Sequence, residues 1–382
     1  MPQTPDYGAS IVSLSNSLRA HYGCATYHPG LPELDAALAA HAYKNVILLV
    51  LDGFGQDVLE RCLPPESFLR THWARPISSV LLSTTVAAIS SIQTGQTPAE
   101  TGWLGWCQWM EEAQCVVDMF TGQRTERKGE FVRPNPAHQY LPKSSLWYEV
   151  TAAGWARGHC VQSFGKGRYR TAGHMLRKLL RICRKRGRQF VYCYSGEPDT
   201  TLHHQGESPE ALAKMRKLDA ACARLARRMK DTLLIVTADH GHAALTRHEA
   251  MDEHPALLDT LRCAVDLEGR CVGCRVKPGL EADFLREARA AFGEEVEILS
   301  REEAIRLRLF GNEDSDCPRL RERMPDYLLL PPAGMTIWRW ARRKGEFLST
   351  HGGAYPREMA VPLVLRSAAR RKPLHRSRAV KE

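Results

Sequence analysis

The sequence predicts an α/β protein with a mostly parallel central sheet and helices on both faces. Three observations carry that expectation. Strand-like apolar runs recur along the chain, helical patterns lie between them, and the first run is hydrophobic on both faces. An all-apolar strand suits the middle of a parallel sheet covered by helices, where neither side meets water.

That first run is "NVILLVLDG", residues 45–53, which ends on Asp52 and Gly53. Ligands gather at the carboxyl ends of parallel strands, although an Asp-Gly pair is also ordinary turn punctuation. A second strand is expected at "ISSVLLS" (77–83), followed by a helix over "VAAISSIQTG" that Gly95 stops. Residues 107–145, rich in polar and turn residues, read as an irregular excursion. Further strands are expected at "RQFVYCYSG" (188–196), "DTLLIVTAD" (231–239) and "AVPLVLR" (360–366). Between the first two lies "SPEALAKMRKLDAACARLARRMK" (208–230), whose Ser-Pro-Glu start and Leu/Ala spacing near 3.6 mark a helix. Residues 255–345 change texture, reading as strand, helix, strand, helix before "PDYLLLPPAGMTIWRW". They interrupt the main sheet before its last strand returns. The expected organisation is therefore a catalytic core of residues 1–254 and 346–382 with an inserted α+β cap subdomain, 255–345.

The chain has 382 residues, 43% hydrophobic and 25% charged, which fits a globular protein of one large core with an insertion or of two domains. No apolar segment approaches the ~20 residues of a membrane helix, and the N-terminal stretch lacks a basic start followed by a greasy core. The cytoplasm is the expected compartment. Twelve cysteines without framework spacing read as free thiols. Cys271 and Cys274 lack the second pair that a structural zinc site needs. The net charge of +10 is partly concentrated in basic blocks at 177–188 and 366–382. Neither block carries interleaved aromatic residues to stack bases, so nucleic acid is not the expected partner; the surplus favours small anionic substrates.

Three strand-like runs end alike. One ends on Asp52, one leads to Asp199 with His203 four residues on, and one ends on Asp239 and His240. If these strands are neighbours in one parallel sheet, their ends converge on one edge. Taken singly, each carboxylate reads as a cap and each histidine as one satisfied by backbone. Repetition of the pattern favours a shared site. Residues four apart on a helix share a face, so Asp199 and His203 can grip one ion. His351, in "STHGGAYPREMAVPLVL", supplies a further imidazole just before the last strand.

The hydroxyl cluster Ser83-Thr84-Thr85 precedes the expected helix. A hydroxyl there is an N-cap by default. The same place gathers free N–H groups and the positive end of the helix dipole, which stabilise an alkoxide or a phosphate oxygen. Beside a divalent ion such a hydroxyl can ionise and attack phosphorus. The residues alone do not choose among the three.

The ordered set Asp52-Gly53, "STTVAAISSIQTG", "EPDTTLHHQG", "TADHGH" and "THGG" resembles the alkaline phosphatase superfamily, and within it the nucleotide pyrophosphatase/phosphodiesterase branch. The resemblance covers roughly residues 40–250 and 345–366. It implies an alkaline phosphatase-like fold and two divalent metal ions. One ion would be held by Asp199, His203 and His351; the other by Asp52, Asp239 and His240, with Thr85 bridging toward both. The family places its nucleophile ten residues before the glycine that ends the helix, which selects Thr85. Zinc is the expected metal, with manganese or iron as alternatives. The implied chemistry is hydrolysis of a phosphodiester or nucleotide pyrophosphate through a phosphothreonine, by two in-line displacements.

The chain departs from the family in having Val86-Ala87-Ala88 after the nucleophile, where diesterases often have Phe-Pro-Asn. No Asn that would donate to the phosphate is identifiable. Trp103 and Trp106 read as packing or as pocket lining. The absence of a Cys-x-Pro-x-Arg type sequence argues against a sulfatase. A phosphonate hydrolase, a phosphomonoesterase or a phosphomutase on the same ligand set stays open. A non-catalytic basic scaffold that binds nucleic acid or anionic membrane is the alternative from a different class. Oligomeric state is not encoded in any motif.

Overall fold

A computed structural model describes residues 3–312 and 317–369, so most of the basic tail expected at 366–382 lies outside the described residues. In chain order the strands are β1 (Asn45–Leu51), β2 (Trp73–Ser78), β3 (Cys107–Met110), β4 (Cys115–Asp118), β5 (Arg157–Gln162), β6 (Gln189–Ser195), β7 (Thr232–Thr237) and β8 (Ala243–Ala244). They continue with β9 (Arg247–Ala250), β10 (Asp266–Glu268), β11 (Cys271–Cys274), β12 (Glu297–Ser300), β13 (Tyr327–Leu330), β14 (Met335–Trp338), β15 (Ser349–Thr350) and β16 (Ala360–Ala368).

The central sheet has six strands in the order β2-β16-β7-β1-β6-β5. Strands β7, β1, β6 and β5 run parallel, and β16 alone runs antiparallel, between β7 and the edge strand β2. Every residue of β1, β6 and β7 is buried, as expected for a sheet covered on both faces. The helix Pro209–Arg228 lies within the stretch predicted for it, capped by Ser208, and buries Met215, Leu218, Cys222 and Leu225 on the face packed into the main core.

A second six-stranded sheet, β12-β13-β11-β10-β3-β4, is antiparallel throughout. The expected strand, helix, strand, helix succession appears as β11, Glu281–Phe292, β12 and Arg301–Arg306. The stretch 107–145, expected to be irregular, instead contributes β3 and β4 to this sheet.

Two other expectations change. The strand expected at 77–83 ends at Ser78, opposite Ala360 where its partner β16 begins; past one further bond, Ser79 N–H to Met359 O at 2.7 Å, the partner backbone turns into the helix Pro356–Met359. Leu81 and Leu82 are buried in a separate apolar cluster with Leu267, Phe310 and Leu328, so their hydrophobicity reflects that cluster and not a strand. Strand β5 was not anticipated, since "RGHCVQ" at the sheet edge is mostly half-exposed and has no apolar run. All twelve cysteines are free, and among the described residues no helix is long and apolar enough to cross a membrane.

Candidate metal centre and nucleophile

Adjacent parallel strands deliver three acids to one edge. In register, Leu51 stands beside Ser195 and Val50 beside Thr237, so β6, β1 and β7 end together. Asp52 follows β1 directly, Asp239 lies just beyond β7, and Asp199 opens the short helix Asp199–Gln205 after β6. The backbone ties them closely: Asp199 N–H donates to Asp52 O at 3.1 Å, and Gly53 N–H to Asp239 Oδ1 at 3.1 Å. Gly53 has φ +69°, and a Cβ there would lie 2.8 Å from the His242 ring and 3.0 Å from Asp199 Cβ. Glycine is required both by conformation and by crowding.

The histidines arrive from two further directions. His203 sits one turn after Asp199, its Nε2 3.3 Å from Asp199 Oδ1. Strand β15 pairs antiparallel with β8, with Thr350 opposite Ala243, and so sets His351 beside the 240–242 turn. The rings of His240 and His351 stack at 3.8 Å, and His351 Nε2 lies 3.5 Å from Asp199 Oδ1.

Among the hydroxyls, Thr85 reaches the acids. Its Oγ1 is 3.2 Å from His240 Nε2 and 3.5 Å from Asp52 Oδ1. It is the first residue of the helix Thr85–Thr94, where unpaired N–H groups and the dipole favour negative charge. Ser83 is turned away, its Oγ donating to Gly353 O at 2.7 Å, and Thr84 makes no capping bond. Every site residue named from the sequence, namely Asp52, Thr85, Asp199, His203, Asp239, His240 and His351, thus meets in one cluster.

Candidate ligand sets within this cluster are Asp52, Asp239 and His240; Asp199, His203 and His242; and Asp199, His240 and His351. The first is the set expected from the sequence. Around Asp199, His242 is an addition. Its Nε2 lies 2.7 Å from Asp199 Oδ1 and its Nδ1 3.0 Å from Ser349 Oγ. The signal was present in "TADHGH", two residues past His240, but the alternation that points both rings into one site appears only once the turn is folded. Tyr194 was missed as well: its hydroxyl donates to Asp52 Oδ2 from within β6, where the sequence showed only an apolar run.

The donor set fits a divalent cation. His203 Nδ1–H donates to Ser349 O at 2.9 Å and His240 Nδ1–H to Gly241 O at 3.0 Å. Ser349 Oγ gives its own proton to Leu202 O at 2.7 Å, so it accepts from His242 Nδ1–H. Each ring therefore holds a proton on Nδ1 and turns Nε2 toward a carboxylate, an arrangement that calls for positive charge between them, from a metal cation or, without one, from a second ring proton. Asp239 Oδ2 is buried without a hydrogen-bond partner, 3.7 Å from His240 Nε2, although Oδ1 accepts from two N–H groups. Imidazole and carboxylate together suit zinc.

Electrostatics without the cation show the same concentration of charge. Burial, then the neighbouring Asp199 and Asp239, pushes the Asp52 carboxyl well above the usual range. Burial raises Asp239 too. Burial opposes the charged form of His240, but Asp239 and Asp52 outweigh it and lift the ring to about 10. Burial lowers His242 to about 4. Asp199 is pushed up by burial but held well below the carboxylate range by His203 and His242.

Asp52, Thr85, Asp199, His203 and His351 open onto a cavity of about 1680 Å³, larger than the ~300–1,000 Å³ of ordinary ligand pockets. Arg124, Lys128, Arg168, Arg170 and Lys217 line it, with the aromatic rings of Trp106, Phe120 and Phe164. Trp106 is 39% exposed in this wall, whereas Trp103 is buried and packs against Phe120.

The family model described as type I phosphodiesterase/nucleotide pyrophosphatase matches residues 46–354. A search of curated proteins found no match. Among solved structures, murine ectonucleotide pyrophosphatase/phosphodiesterase 5, in an inactive form in complex with AMP, superposes with a TM-score of 0.65 at 16% identity, covering 86% of this chain and 89% of that one. Its human counterpart gives 0.63 at 16%, with the same shares. Phosphonoacetate hydrolase from Sinorhizobium meliloti 1021, in complex with phosphonoformate, gives 0.62 at 18%, covering 85% and 90%. These likenesses establish the fold, a mixed α/β architecture on the six-stranded, mostly parallel sheet.

Proposed function

The chain belongs to the type I phosphodiesterase/nucleotide pyrophosphatase family of hydrolases, and on that premise we propose that it cleaves a phosphodiester or nucleotide pyrophosphate at a two-metal site, through a phosphothreonine on Thr85. The observation that carries this reading is Thr85 Oγ1, at a helix N-terminus and within 3.5 Å of both Asp52 Oδ1 and His240 Nε2. One cation would be held by Asp52, Asp239 and His240, the other by Asp199, His203 and His351, with His242, 2.7 Å from Asp199 Oδ1, as a further donor. Zinc is the proposed metal. Bound there, such ions lower the pKa of a hydroxyl and offset negative charge on the phosphoryl oxygens and the leaving group.

The chain's own groups do the rest. The Thr85 hydroxyl gives its proton to solvent, and Oγ1 bonds to phosphorus as the ester or anhydride oxygen departs with its alcohol or nucleotide and takes up a proton from water where its basicity requires one. The N–H groups at the start of the helix Thr85–Thr94 face the phosphoryl oxygens. Tyr194 holds Asp52 from behind by its hydroxyl bond. Water then attacks the same phosphorus and Thr85 is released. Cations around the cavity attract a small phosphate-bearing substrate, and the exposed rings offer a stacking surface. We assign substrate choice to residues 255–345, read as a cap inserted into a core of 1–254 and 346–382 and sharing its sheet with β3 and β4 of that core, because specificity on a shared scaffold usually lies in such additions.

The test is turnover of bis-p-nitrophenyl phosphate, nucleotides, a phosphonate and a phosphomonoester by zinc-loaded protein. Diester cleavage by wild type, its loss in Thr85→Ala, and a phosphopeptide containing Thr85 in quenched reactions support the reading. Full turnover in Thr85→Ala, or salt-dependent nucleic-acid binding without turnover, would refute it.

A further inference from the structure

His351 differs from its neighbours in one respect. Nδ1 of His203, His240 and His242 each meets an oxygen within 3.0 Å. His351 Nδ1 is buried and has no hydrogen-bond partner. The acceptor placed toward it is Glu268 Oε2, 3.8 Å away, at the end of β10.

The surroundings of Glu268 are built to bring its carboxylate there. Its Oε1 accepts from Trp106 N–H at 3.0 Å, which anchors one side of the group. The preceding residue, Leu267, has φ +64°, a left-handed conformation costly for a branched side chain and one that persists only where the surrounding structure enforces it. On the other side, Gly352 has φ +101°, and a Cβ at that position would lie 2.8 Å from Glu268 Oε2. The glycine after His351 leaves room for this acid. The side chain is 13% exposed, so water competes little for it.

We propose that Glu268 is a positioning residue for His351. It accepts the Nδ1 proton, fixes the tautomer and presents the Nε2 lone pair to the cation shared with Asp199. The inserted segment thereby gains a direct hold on the metal site. A carboxylate behind a ligating imidazole orients the ring and raises its basicity, and removing such a partner typically costs ~10–100-fold in metal affinity. The inference rests on the metal-site reading above.

Glu268→Gln is a sharp test because its size is unchanged. The amide oxygen would serve Trp106 N–H, which turns the NH₂ toward His351 Nδ1. That donor moves the ring proton to Nε2, and a protonated Nε2 cannot ligate. Metal-free full-length protein would be titrated with zinc against a chromophoric chelator, for wild type, Glu268→Gln, Glu268→Ala, His351→Ala and the Gln/Ala double variant. The expected result is a loss of about 10- to 100-fold at one zinc in both Glu268 variants, with the double variant no weaker than His351→Ala alone. A residue that only supports the fold would add its loss to that of His351. The ¹⁵N shifts of the His351 ring in zinc-loaded protein would show Nδ1–H in wild type and lose that pattern in Glu268→Gln. Wild-type affinity in a folded Glu268→Gln, or additive losses, would overturn the inference and leave the proposed function standing. Wild-type protein that binds no zinc would remove both.

Discussion

Arg270→Met should be among the most damaging substitutions away from the cluster itself. Arg270 and Glu358 are fully buried and paired in parallel, Nε to Oε1 at 3.0 Å and Nη2 to Oε2 at 2.8 Å. Arg270 Nη1 also donates to Pro332 O at 2.7 Å and to Met335 O, while Glu358 Oε1 accepts from Gly353 N–H at 2.9 Å. The pair thus pins the turn between β10 and β11 to the loop that carries His351. Methionine fills much of the space but leaves a carboxylate in the core with one N–H, and breaking a buried pair this way costs about 3–5 kcal/mol. At ~2–4 °C per kcal/mol for domains of 150–250 residues, Tm should fall by about 6–20 °C, nearer the lower end for this longer chain. Replacing both partners, Arg270→Met with Glu358→Leu, should recover ~2 kcal/mol, since no charge is then stranded. Urea denaturation of the wild type and these two variants measures this. A loss below about 1 kcal/mol in Arg270→Met, or a double variant no better than the single one, would refute the reasoning.

Zinc binding should release protons at pH 7, because His240, lifted to about 10, must lose its proton to ligate. Affinity should therefore rise with pH, about tenfold per unit for each proton released, and weaken as pH falls; calorimetry in buffers of different ionisation enthalpy would count those protons. Gly53→Ala should lose both stability, by more than ~1 kcal/mol from its positive φ, and metal affinity, since the new methyl displaces His242 and Asp199; thermal melts with and without zinc separate the two. Chelation should lower Tm, as zinc held at 1,000 times its Kd stabilises by about 4 kcal/mol, and scanning calorimetry with added zinc should restore it.

What could be read from the sequence was local. The apolar runs before Asp52 and Asp239 fixed buried parallel strands, and a parallel strand has one place where its acid can point. The helix after Thr85 was legible from its period and from Gly95. The hidden parts depend on partners distant in the chain. Strand β2 stops where β16 begins, which no residue near Ser78 encodes. Strand β5 is an edge strand with polar residues, and its pairing with β6 supplies what its composition does not. Tyr194 looks like one more apolar strand residue until its hydroxyl meets Asp52. Glu268 lies in the three-residue strand β10, 83 positions from the histidine it approaches, with nothing local to mark it.

Anomalous diffraction from crystals of the zinc-loaded protein tests the central claim most directly. Two zinc peaks are predicted, one on Asp52, Asp239 and His240 beside Thr85 Oγ1, the other on Asp199 and its imidazoles. A lone peak, or zinc bound away from these side chains, would contradict the account.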